Sequence, residues 1–98
     1  MHITKNITEE FIDSRGGIAK VLDDGHTVVR SILRITSKAG SIRSNHYHRV
    51  DSHYCYVESG AFEYYEKPVG GDEIQKTVLT KGDMVFTPPM IIHSMKFL

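Results

Sequence analysis

Apolar and polar residues alternate along this chain in short runs set apart by glycine-containing turns. Runs rich in β-branched and aromatic residues fall at positions 18–22, 27–36, 53–58, 61–67, 73–79, 84–87 and 93–98. Such runs fit half-buried strands. Residues 8–12 alone read as a helical turn. Asp23-Asp24-Gly25-His26 and Ser59-Gly60 have the composition of hairpin turns, and Pro68-Val69-Gly70-Gly71-Asp72 reads as a longer loop that cannot continue a strand. Short strands at regular spacing, without a linker, repeat or low-complexity tract, predict an all-β sandwich or barrel filling one domain over residues 1–98.

The period of two assigns faces. With His53 turned inward, Cys55 and Val57 share its side, while Tyr54, Tyr56 and Glu58 face outward or toward a partner sheet. The tyrosines and Phe62 are read as core and interface mass in preference to substrate-stacking groups. The single Cys55 is read as a small buried residue in preference to a soft metal ligand, and it suits a reducing compartment. Residues 3–12 and the outward tyrosines Tyr54, Tyr56 and Tyr64 offer an edge and a face for a homodimer.

Charge narrows the partners. Twelve Lys and Arg balance twelve Asp and Glu, so no net field draws the chain to nucleic acid or to a membrane surface. The apolar stretch 84–95 is too short to span a bilayer and contains Pro88 and Pro89. The opening Met1-His2-Ile3-Thr4-Lys5-Asn6 lacks the apolar run of a signal peptide, which favours the cytoplasm.

The candidate chemistry lies in Ser44-Asn45-His46-Tyr47-His48-Arg49. On a strand, residues two apart point to one side, so His46 and His48 would converge on one small volume as the start of a metal site or a proton-transfer pair. Their surroundings are spaced suggestively. Gly40 precedes His46 by six positions; four residues separate His48 from His53, and six more lead to Gly60. Later, five residues separate Gly82 from Pro88, and His93 stands five beyond Pro88.

This pattern resembles the two motifs of the cupin superfamily: glycine, five residues, H-x-H, three or four residues, glutamate, six residues, glycine; then glycine, five residues, P-x-G, two residues, histidine, three residues, asparagine. His53 stands at the glutamate position, Met90 at the second glycine of the later motif and Phe97 at the asparagine. The resemblance implies a small jelly-roll β-barrel (a double-stranded β-helix), lacking the last strand or strands of the usual barrel. It also implies a divalent transition-metal site at His46, His48, His53 and His93. Imidazole donors suit Zn, Fe, Ni, Cu or Mn. Asp51 is the nearest carboxylate substitute, two positions out of register.

Asp13-Ser14-Arg15-Gly16 and Arg43-Ser44-Asn45-His46 also resemble the D-x-R-G and R-G-x-H segments of the cupin branch of nucleotide-sugar epimerases and ketoisomerases, with Ser44 in place of glycine. That resemblance implies Arg15 and Arg43 as diphosphate ligands and His46 or His48 as catalytic base, without a metal. A third possibility is a non-catalytic ligand-binding cupin. The leading expectation is the metal-centred one, in which a small-molecule, sugar-like ligand is bound or transformed.

Overall fold

The computed structural model describes all of residues 1–98. It holds nine strands and no helix: β1 (His2–Thr4), β2 (Phe11–Asp13), β3 (Gly16–Ile18), β4 (Ile42–His46), β5 (His53–Tyr56), β6 (Ala61–Pro68), β7 (Gln75–Thr80), β8 (Met84–Thr87) and β9 (Ile91–Phe97). They form three antiparallel sheets, ordered β1-β8-β5, β2-β3 and β4-β9-β6-β7. Strands β1, β5, β4 and β7 are sheet edges.

The core lies between the two larger sheets. Val85, with Ile3 and Cys55 against it, meets Phe62, Tyr64, Leu79, Met95 and Phe97, and Val57 fills the space beside the turn after β5. In β6 the alternation is regular: Phe62, Tyr64 and Glu66 are buried, and Ala61, Glu63 and Tyr65 are less so. Tyr64 is therefore not an outward residue available for pairing, as the sequence suggested; it is 1% exposed. Tyr54 and Tyr56 do remain on the surface, and Cys55 and Val57 face inward as expected.

Asp83 ties the sheets together. This buried carboxylate accepts the backbone N–H groups of Asn6 and Thr80 at 2.8 Å each and pairs with the Lys5 ammonium. Around it, Gly82 N–H donates to Val57 O, Val57 N–H to Asp83 O, and Ile7 N–H to Gly82 O. The turn between β7 and β8 thus anchors both the N-terminal segment and the end of β5.

Several expected elements differ. Residues 8–12 form no helical turn; Phe11 and Ile12 enter β2, which turns through Ser14-Arg15 into β3. The run 18–22 contributes only Ile18 to a strand. At Asp23-Asp24-Gly25-His26 there is no hairpin: the Asp24 carboxylate accepts the N–H groups of His26 and Thr27 in a local turn without flanking strands. The largest departure is 27–36, which forms no strand because no strand lies in register beside it.

Candidate metal centre

Four histidines gather at one end of the space between the two larger sheets. His46 closes β4, His48 lies in the turn that follows, His53 opens β5, and His93 sits in β9 directly opposite His46. Ring centroids are 4.8 Å apart for His46 and His48, 4.9 Å for His46 and His93, and 4.4 Å for His48 and His53. One ligating nitrogen from each of His46, His48 and His93 lies within 4.8 Å of the others. His53 stands beside this trio, its ring 6.3 Å from that of His93.

The convergence of His46 and His48 does not come from strand alternation, as the sequence suggested. Strand β4 ends at His46, and its pairing with β9 slips between Ser44 and His46. Ser44 and Asn45 take positive φ values of 69° and 65° at this bulge. An extra residue in one strand bends it and re-aims the next side chain, which sets His46 against His93. His48 is then fixed by its own carbonyl, which accepts the Met90 N–H at 2.8 Å.

Burial is graded across the cluster. His93 is buried, His48 half-buried, and His46 and His53 exposed, so the group has a closed side and an open one. Burial pushes the His93 imidazole below its ordinary value, opposed by a hydrogen bond to Ile91 O and reinforced by the neighbouring histidines. Burial also lowers His53, followed by the charge of His48, with Asp51 pulling the other way. Both effects favour the neutral ring, the form that ligates a metal. When His93 donates its Nδ1 proton to Ile91 O at 3.3 Å, Nε2 is left with the free lone pair.

A buried polar belt underlies His93. Glu66 stands opposite His93 in the β6–β9 ladder, and Thr87 stands opposite His53 in the β5–β8 ladder. Tyr64 Oη donates to Glu66 Oε2 at 2.9 Å and shares a 2.7 Å hydrogen bond with Thr87 Oγ1. Burial raises the Tyr64 phenol far above its usual range. The sequence reading missed these three residues, although Glu66 carried a signal: it falls in phase with Phe62 and Tyr64, a charged side chain on an apolar face.

The remaining predicted residues lie elsewhere. Arg15 occupies the β2–β3 turn, its guanidinium held 2.7 Å from Asp13 Oδ2 and its side chain 85% exposed. This is a solvated turn residue. Arg43 donates to Ser37 Oγ and Thr36 O, and the cleft it lines with Lys38 and Ser41 contains no histidine. Asp51 acts on His53 through its charge and is not one of the three clustered ligands.

Comparison of the chain with protein-family models, with curated proteins and with solved structures returns no match.

Proposed function

We propose that this chain is a small cupin-type jelly-roll domain that holds a divalent transition-metal ion on His46, His48 and His93, with His53 as a fourth ring within reach. The observation that carries this reading is the convergence of three nitrogens from β4, the turn after it and β9 within 4.8 Å. Tetrahedral bonds of about 2.1 Å set nitrogens about 3.4 Å apart, so small ring rotations bring the trio into range.

Backbone geometry supports the family resemblance independently of the histidines. The motif glycines Gly40, Gly60 and Gly82 have φ of 86°, 77° and 90°. Where this chain departs from glycine, at Met90 and Ser44, φ is still 65° and 69°. The left-handed conformation that favours glycine is thus retained at both substituted positions.

A bound ion would supply Lewis acidity at the open side of the cluster. The chain's own groups hold the cluster from beneath: His93 is fixed by Ile91 O, and Tyr64, Glu66 and Thr87 bond one another in a buried belt beside it, with Glu66 also paired to the Met1 ammonium at 3.4 Å. We therefore infer a small, oxygen-bearing and sugar-like ligand, bound or transformed at the metal. The metal-independent nucleotide-sugar isomerase reading is weaker, because the guanidinium of Arg15 is engaged by Asp13 and that of Arg43 by Ser37 and Thr36.

Metal analysis of the purified protein tests this directly. Wild type should carry one divalent ion per chain, and His46→Ala or His93→Ala should lose it. His26→Ala and His2→Ala should keep it, since His26 pairs with Asp24 and His2 packs on Phe86. Full metal content in His93→Ala would refute the assignment.

A further inference from the structure

His53 stands at the open side of the cluster and outside the converging trio. Its ring lies 4.4 Å from that of His48 and 6.3 Å from that of His93, and the residue is exposed. The nitrogens that come within 4.8 Å of one another belong to His46, His48 and His93. Three protein ligands suffice to hold an ion with a position left open, so His53 is free for another task.

Charge defines that task. Where the motif this chain resembles has glutamate, position 53 carries an imidazole, and no carboxylate shares the group of converging ligand atoms. Burial, the largest influence on His53, favours its neutral ring. A divalent ion held by neutral rings keeps both of its charges, whereas a glutamate at position 53 would cancel one of them.

The neighbouring acids do not replace that glutamate. Glu66 lies opposite His93 and is buried, but its carboxylate accepts the Tyr64 hydroxyl and pairs with the Met1 ammonium at 3.4 Å. The charge of Asp51 reaches His53, and Arg49, in the same connection between β4 and β5, carries the opposite sign.

We propose that this cluster selects an anionic ligand of the polyhydroxy-carboxylate class, with His53 as the residue that sets the selectivity. The carboxylate of such a ligand meets the full charge of the ion, and an adjacent hydroxyl oxygen takes a second open position. The neutral His53 ring carries one N–H, which donates to the ligand's carboxylate from the solvent side. An uncharged polyol gains much less, because a hydroxyl dipole is attracted to the ion more weakly than an anion is. This selectivity rests on the metal-centred reading above and narrows its sugar-like ligand to a charged one.

Gluconate and sorbitol separate charge from shape, since they share a polyol chain and differ at one end, carboxylate against hydroxymethyl. Calorimetry on the zinc-loaded full chain should give gluconate an affinity at least about tenfold above that of sorbitol, and metal-stripped protein should bind neither. His53→Glu should keep its zinc and lose gluconate affinity by about tenfold or more. His53→Gln, neutral and still an N–H donor, should keep its zinc and stay within about threefold of wild type. Sorbitol binding as tightly as gluconate would overturn the proposal, as would equal losses in the two variants or no loss in His53→Glu. Loss of zinc from His53→Gln would make His53 a metal ligand and overturn the role given to it. Full zinc content without a preference for gluconate would remove the selectivity and leave the metal centre standing; a chain that takes up no zinc would overturn both.

Discussion

Met90 and Ser44 place side chains where the backbone favours glycine. A non-glycine residue in the left-handed region costs about 1 kcal/mol. Met90 is 45% exposed, so Met90→Gly sacrifices little packing while relieving that cost. We expect it to raise stability by about 1 kcal/mol, or roughly 4–8 °C in melting temperature for a domain of this size, and Ser44→Gly to act in the same direction. A lower melting temperature for Met90→Gly would mean that its side chain contributes more than its exposure implies. Residue spacing made all four clustered histidines legible in the sequence. It did not reveal how His46 is aimed, because a bulge is defined only by the register against β9. The belt of Tyr64, Glu66 and Thr87 was hidden for a related reason: β8 brings Thr87 to Tyr64 from 23 positions away.

At the scale of elements, the link between the sheets rests on Asp83. Burial would raise its pKa, but the Lys5 ammonium and the N–H groups of Thr80 and Asn6 hold it at about 2. A carboxylate lowered from 3.8 in this way adds stability that is complete above the unfolded value and is lost as pH falls through the folded one. Wild type should therefore lose stability between about pH 4 and pH 2, and Asp83→Asn should show a shallower loss in acid titrations followed by circular dichroism. Asp83→Ala should cost about 3 kcal/mol at neutral pH; a change under about 0.5 kcal/mol, the size typical of unremarkable surface substitutions, would remove Asp83 from this role. Strands were readable where a run had a partner within the chain, as in β6, β8 and β9. The run 27–36 had equal β character and formed no strand, since strand propensity expresses packing against neighbours and those neighbours are missing here.

For the whole molecule, an ion held by β4, the turn after it and β9 would bind the folded state and not the unfolded chain. Saturation at a hundredfold over Kd would stabilise the protein by about 2.7 kcal/mol, a rise in melting temperature of roughly 10–20 °C. Burial holds His53 and His93 below the ordinary 6.5, so protons compete less well with a metal for those two rings. Zinc added to chelator-stripped protein should therefore raise the melting temperature, and His93→Ala should not respond. A nucleoside diphosphate should leave stripped protein unchanged, because Arg15 and Arg43 are already engaged within the chain. Should the nucleotide stabilise the stripped protein, and Arg43→Ala abolish that effect, the histidines would serve as bases beside a diphosphate site and the metal-centred reading would give way to the isomerase.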